Sequence, residues 1–250
     1  MNGIRAATKK GLYDWLAIEN PDVVLIQETK AKPDQIDRGE LKKMGFHSFF
    51  HSAEKPGYSG VAILTKEEPD NVVVGCGVEK YDREGRVLRV DFGDVSVLST
   101  YFPSGSSGEQ RQQFKMEFLE DFSLFVENLM QTREKLVIGG DYNICHRPID
   151  IHNPVSNKKS SGFLPEEREW VSSFLESGFK DSFRLIHGDV EGRYSWWTYR
   201  FNARKKNLGW RIDYNMVSDP LSRAIKNADI LADVNHSDHC PVTLELETDE

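Results

Sequence analysis

Leu136-Val137-Ile138, followed by Gly139-Gly140-Asp141-Tyr142-Asn143, is the stretch that most narrows what this chain can become. Three apolar residues, two of them β-branched, are too few for a helix and read as a short buried strand. The two glycines predict a sharp turn after it, and Asp141 and Asn143 follow with one residue between them. Strand geometry carried through to Asn143 would point both side chains to one face, because the pleat repeats every two residues. A carboxylate that can take a proton, beside an amide that donates or accepts hydrogen bonds, suits the handling of a water molecule. Taken alone, the stretch also reads as an ordinary turn, since Gly, Asp and Asn dominate turns for conformational reasons. The rest of the chain decides between the two.

Other short apolar runs stop at polar residues in the same way. Asp22 to Glu28 reads as a buried strand whose end presents Glu28. Further strands are expected over Phe46–His51, Ser59–Lys66, Asn71–Gly75, Arg86–Phe92 and Val95–Phe102. Gly93-Asp94 and the Asp82–Gly85 loop imply antiparallel hairpins among them. The spacing of Leu12, Trp15, Leu16 and Ile18 predicts a helix over Lys9–Asn20. Helices are also expected over Pro33–Met44, Glu109–Met130, Pro165–Ser177 and Asp181–His187, and Met1–Ala7 reads as short and polar. His146–Leu164 is a long loop, of a length that is often functional. Strands are expected from Asp213 through Val217 and over Val242–Leu246. Glu28, Tyr101, Asp141, Asn143, Asp213, Asp238 and His239 thus all fall at or near strand ends. Gathered on one sheet edge, they are residue types of metal-assisted hydrolysis.

Composition excludes several alternatives. With 250 residues, 29% charged and 38% hydrophobic, the chain reads as one α/β domain spanning 1–250. No apolar run approaches the roughly 20 residues of a membrane span, and the N-terminus has no secretory h-region. Cys76, Cys145 and Cys240 are odd in number and far apart, which argues against disulfides or zinc and for a reducing, intracellular compartment. That means cytoplasm or nucleoid in a prokaryote, nucleus in a eukaryote. The formal net charge of −8 weighs against non-specific nucleic-acid binding, but Asn157-Lys158-Lys159 and Arg200 to Lys206 form basic loops able to grip phosphate.

Glu28 is a hard oxygen ligand suited to Mg²⁺ or Mn²⁺, or else a solvated strand terminus. His239 with Asp213 could form a carboxylate-oriented imidazole. Tyr101 is either a strand aromatic or a phenol donating to a phosphate oxygen. Trp196, Trp197 and Trp210 fit a core, yet near Arg200, Arg204, Lys205 and Lys206 some could stack on a sugar or base. No P-loop and no Gly-x-Ser-x-Gly elbow is present.

Ten segments in order carry a resemblance: Asn2-Gly3-Ile4-Arg5-Ala6, Leu25-Ile26-Gln27-Glu28-Thr29-Lys30, Tyr58-Ser59-Gly60-Val61-Ala62, Tyr101-Phe102-Pro103, Gly140-Asp141-Tyr142-Asn143, Ile149-Asp150, Gly162-Phe163, Trp197-Thr198-Tyr199, Gly209-Trp210-Arg211-Ile212-Asp213-Tyr214 and Ser237-Asp238-His239. Together the chain resembles the exonuclease III family of AP endonucleases, within the endonuclease/exonuclease/phosphatase superfamily. The resemblance implies a DNase I-like four-layer αββα sandwich of two mixed sheets flanked by helices, with the active site at one edge. It implies a phosphodiester hydrolase that incises double-stranded DNA 5′ to abasic sites and trims 3′ ends, acting as a monomer.

By that resemblance Glu28, Asn2 and Asp238 surround Mg²⁺, with Mn²⁺ as an alternative. Asp141, aligned by Asn143, handles the attacking water; His239, paired with Asp213, holds the phosphate, and Tyr101 and Asn143 add hydrogen bonds. Trp196, Trp210 and Ile212 resemble the pocket for an extruded abasic sugar, and Asn157, Lys158, Arg204 and Lys205 the DNA-contacting residues. Two departures stand out. The family's usual first strand, ending in Asn-x-Asn-Gly, is absent because Met1 stands at the middle position, and Ser160 stands where many relatives carry Asn. Other readings follow: a catalytically impaired module that binds abasic DNA, or a superfamily phosphoesterase acting on RNA or a small phosphorylated molecule.

Overall fold

The computed structural model describes residues 1–247. Its strands are β1 (Val23–Gln27), β2 (His47–His51), β3 (Val61–Thr65), β4 (Asn71–Val74), β5 (Val87–Phe92), β6 (Val95–Tyr101), β7 (Lys135–Asp141), β8 (Phe179–Asp181), β9 (Asp213–Ser218), β10 (Ile225–Ile230) and β11 (Val242–Leu246). The helices are α1 (Ile4–Thr8), α2 (Leu12–Glu19), α3 (Arg38–Lys43), α4 (Glu79–Asp82), α5 (Glu109–Met130), α6 (Pro154–Asn157), α7 (Pro165–Glu176), α8 (Ser182–His187) and α9 (Asp219–Ser222). Six strands form a mixed sheet in the order β4-β5-β6-β7-β9-β8, parallel only between β6 and β7. The facing layer is built in two antiparallel pieces, β1-β3-β2 and β10-β11.

Period-two alternation sorts the core into layers. Val61 and Ile63 of β3 meet Leu88, Val90, Val97, Val137 and Val217 between the sheets. Their neighbours Ala62 and Leu64 face the other way, against Ile4, Leu12, Leu16 and Leu41 of α1, α2 and α3. On the far side of the six-stranded sheet, Leu98, Leu136, Ile138 and Met216 pack on Phe118, Phe122 and Val126 of α5 and Val171 and Phe174 of α7. The order is therefore helix, sheet, sheet, helix. Among the described residues no helix is long and apolar enough to cross a membrane.

Several local expectations change. Met1–Ala7 leads into α1 from Ile4, and α2 begins only after Gly11, whose φ of +89° breaks the helix predicted from Lys9. The helix predicted over Pro33–Met44 divides into a 3-10 turn, Pro33–Gln35, and α3, which Asp37 caps through the Glu40 amide. Gly139 and Gly140 do not turn; both stay inside β7. They are needed for close approach, since a Cβ on Gly140 would lie 1.9 Å from the Thr100 carbonyl and one on Gly139 would lie 2.4 Å from Leu25 Cδ1.

Among the described residues β1 pairs only with β3, and β11 only with β10. Val23, Val24 and Leu25 on β1, and Val242, Leu244 and Leu246 on β11, accordingly stay half-buried. The Met1 nitrogen donates to Gln27 O at 2.7 Å and the Gly3 amide to Glu28 O at 3.0 Å, so residues 1–3 lie along the end of β1.

Candidate active site

Three candidate residues occupy one row across the six-stranded sheet. Tyr101 at the end of β6 is in register with Asp141 at the end of β7, and Asp141 with Asp213 at the start of β9. Asn143 joins them by a different route from the predicted one. The strand ends at Asp141, and Asn143 sits in the left-handed region at φ +53°. Its amide donates to Asp141 Oδ1 at 2.9 Å and its side-chain nitrogen to Phe102 O at 3.0 Å. An Asx-type turn, not the pleat, therefore aligns the amide with the carboxylate. The turn reading and the water-handling reading describe the same geometry.

His239 closes the row. Its Nδ1 lies 3.0 and 2.9 Å from the two Asp213 oxygens, which fixes Nδ1 as the protonated nitrogen and turns Nε2 outward. Nε2 is 3.8 Å from Asp141 Oδ2, too far for a hydrogen bond, so both atoms are free to face a substrate. Ser195 holds Asp213 from behind: its hydroxyl donates to Oδ2 at 2.6 Å and accepts the Ile212 and Asp213 amides, each at 3.1 Å. Burial pulls the His239 imidazolium down, but Asp213, the hydrogen bond to it and Asp141 outweigh this and raise it to about 9. Burial pushes Asp141 up to about 7, with His239 opposing and Asp213 adding to the rise. Burial, then Glu28 and Asp141, push the Tyr101 phenol well above its ordinary value, so it remains a donor.

A second group lies beside the row. Glu28, at φ +58°, accepts Lys30 Nζ at 3.0 Å; that ammonium also donates to Asn2 Oδ1 at 2.7 Å. Asn2 Nδ2 reaches Asp238 Oδ2 at 3.4 Å, and the Asn2 amide donates to Ser237 Oγ at 3.1 Å. Asp238 is held below the usual carboxylate range: burial pushes it up, but His239 and hydrogen bonds from Ser237 and Trp196 outweigh that. Glu28 and the Asn2 carbonyl share the Lys30 ammonium and Asp238 follows through the Asn2 side chain, a run of hard oxygen donors of the kind that suits Mg²⁺ or Mn²⁺. Asp141, Asp213 and His239 also offer ligand atoms within 4.8 Å of one another. There, however, Nδ1 and both Asp213 oxygens are already engaged, which describes an oriented imidazole better than an ion cage.

The aromatic candidates converge too. Trp196 and Trp210 meet edge-to-face at 6.0 Å and pack with Ile212, Phe163, Ile151 and Cys145. Trp196 Nε1 donates to Asp238 Oδ2 at 3.3 Å, which puts this apolar wall next to the oxygen cluster. Trp197 instead is buried beneath Arg204. Of the basic candidates, Lys158 and Lys205 are exposed. Asn157 is occupied with the His152 and Asn153 carbonyls and Ser160, and Arg204 donates to Ser237, Ala232 and Val234 carbonyls. Arg204 thus clamps its loop to the 232–237 segment.

Sequence reasoning overlooks several supports. Ser195 is one. Arg86 is another: it is fully buried, donates to Tyr101 O at 2.7 Å and Tyr58 Oη at 3.2 Å, and lies 5.1 Å from the Tyr101 ring. Its only advance signal is that it immediately precedes a strand and follows a glycine. Phe163 carries a motif but no assigned role.

A buried imidazole–carboxylate pair facing a second carboxylate, with hard oxygen donors beside it at the edge of a double-sheet sandwich, defines a class: phosphoester hydrolases. The sequence profile of the Endonuclease/Exonuclease/phosphatase family matches residues 1–239. The exodeoxyribonuclease of Bacillus subtilis is 42% identical over 245 residues, covering 98% of this chain and 96% of that one. The DNA repair nuclease APEX1 of Danio rerio is 41% identical over 248 residues, covering 98% and 80%. The structure of an AP endonuclease from Archaeoglobus fulgidus superposes with a TM-score of 0.89 at 30% identity, covering 99% and 96%. The chain belongs to the Endonuclease/Exonuclease/phosphatase family and is a hydrolytic nuclease of the exodeoxyribonuclease and AP-endonuclease type.

Proposed function

We propose that this enzyme uses Mg²⁺ to cut the DNA backbone 5′ to an abasic site, and trims 3′ ends at the same centre. The observation that carries this reading is the Tyr101–Asp141–Asp213 row with His239, lying beside the Trp196, Trp210, Ile212 and Phe163 wall. Asp141 takes the proton of an attacking water that Asn143 helps orient. His239, cationic and held by Asp213 and Ser195, presents Nε2 to a non-bridging phosphate oxygen where charge grows. Tyr101 donates a further hydrogen bond. The apolar wall receives the baseless sugar, whose extrusion costs the least unstacking and unpairing energy.

The charge balance supports a metal. The carboxylates of Glu28, Asp141, Asp213 and Asp238 are met by the His239 imidazolium and the Lys30 ammonium, so with Asp141 ionised a phosphodiester anion meets net negative charge unless a divalent ion is present. Glu28 and Asp238, with Asn2 beside them, would hold the ion. Mg²⁺ bound there supplies charge neutralisation and Lewis acidity.

Two outcomes are expected. Asp141 must be ionised and His239 cationic, so kcat/KM should fall as pH drops below about 7 and again as it rises past about 9. The limbs belong to the interacting pair, and a divalent ion nearby moves the acid limb lower. A profile flat across that whole range would contradict the assignment. The substrate reading is tested by the ratio of rates on abasic and undamaged duplexes. Trp210→Ala should reduce that ratio roughly ten- to hundred-fold, because a loosened wall misplaces the sugar; an unchanged ratio would remove the pocket from the account.

A further inference from the structure

Lys115 lies on α5 with none of its side chain exposed, and it is ion-paired to an equally buried Glu167 on α7 at 2.7 Å. Taking two charges out of water is costly even after relaxation, and a well-packed apolar pair of similar volume often serves stability as well or better. Core stability is therefore a poor explanation for this pair. Its other hydrogen bonds point elsewhere. Lys115 Nζ donates to the Asn143 carbonyl at 2.9 Å. Glu167 Oε2 accepts the Gly162 and Leu164 amides at 2.6 and 3.0 Å, holding Phe163 from both sides. Glu167 Oε1 accepts Gln112 Nε2 at 2.9 Å and Ser161 Oγ at 3.4 Å. Of these bonds, only the one from Gln112 leads back to α5.

The two loops so held also touch each other. The Cys145 amide donates to Gly162 O at 2.8 Å, and a Cβ on Gly162 would lie 2.9 Å from both the Asn143 carbonyl and Trp210 Cζ3. Asn143 is held at φ +53°, a conformation an L-residue adopts at some cost and keeps only when its surroundings over-determine it.

We propose that Lys115 and Glu167 form a positioning pair that ties the Asn143 turn to the Phe163 wall, so that the lesion pocket and the catalytic amide move as one unit. This rests on the nuclease reading of Asn143. The pair touches no substrate; it acts through the peptide that follows Asn143 and through the two amides flanking Phe163.

The test is Lys115→Met with Glu167→Gln, which removes both charges while the introduced side-chain amide keeps an acceptor for the Gly162 and Leu164 amides. In amide hydrogen exchange the segment 141–145 should exchange at least about tenfold faster, with Tm maintained or raised. On an abasic duplex kcat should fall roughly ten- to hundred-fold with KM little changed. In an Asn143→Ala background the same double change should cost nothing further in kcat. Unchanged exchange at 141–145 in the folded variant would overturn the proposal, as would losses that multiply with Asn143→Ala. If the wild-type enzyme cleaves no duplex, the nuclease reading fails, and exchange still decides whether the pair positions the turn. Should the first variant not fold, Lys115→Gln with Glu167→Gln carries the same expectations, because Gln is too short to reach the Asn143 carbonyl.

Discussion

Replacing Asp141 by Asn is expected to lower kcat roughly ten-thousand-fold, the upper range for losing a positioned proton acceptor, while the protein melts no lower than wild type. Both halves follow from the same burial. Asp141 lies in the row between Tyr101 and Asp213, 5% exposed, with Oδ1 held by the Asn143 amide and Oδ2 3.8 Å from His239 Nε2. A carboxyl raised from 3.8 to about 7 contributes stability that is present below its ordinary value and lost as pH rises through about 7. At pH 8 the ionised group thus costs stability that a neutral Asn does not, and Asn can still accept from the Asn143 amide. Thermal melts at pH 8 and single-turnover rates on one preparation check both statements. A variant within tenfold of the wild-type rate would take the proton-acceptor role away from Asp141.

His239→Ala should cost about a thousand-fold in kcat, the scale of removing one donor from a site of developing charge. Here stability should fall as well. The imidazole is raised to about 9, so its pairing with Asp213 contributes stability below its ordinary 6.5 that is lost as pH rises through about 9. Without the ring, the buried Asp213 keeps only Ser195 as a side-chain donor among the described residues. Breaking a buried pair by deleting one partner costs about 3 kcal/mol or more. A lower Tm at pH 7 with the loss shrinking toward pH 10 is the expected signature. Near-normal turnover would mean that another group meets the phosphate.

The strand ends are legible in the sequence because each buried run stops abruptly at a charged or amide residue. That signal places Glu28, Asp141, Asp213 and His239 at or near strand ends, and the family resemblance supplies the roles they would share. A period of two places Asn143 with Asp141, yet a left-handed Asx turn is what brings them together. β10 leaves no trace because the register shift between Ile225 and Asn227 breaks its alternation, and β8 is only three residues long. Ser195 lies between two aromatics in a segment with no periodicity, so nothing local marks it as the support of Asp213. Lys115 does carry a signal: at three and four residues before Phe118 and Leu119 it falls on the buried face of α5. A cation on an apolar stripe asks for a partner, and only the fold shows Glu167 to be that partner.

Incision of an end-labelled duplex carrying one abasic analogue, run beside an undamaged duplex in Mg²⁺ and in EDTA, bears most directly on the central claim. A single cut immediately 5′ to the lesion in Mg²⁺, little cutting of the undamaged duplex, and none with EDTA is the predicted result. Cutting that persists in EDTA would contradict the role given to Glu28, Asn2 and Asp238. Tight binding without a cut at any Mg²⁺ concentration would contradict the claim itself, leaving a protein that recognises the lesion and does no chemistry on it.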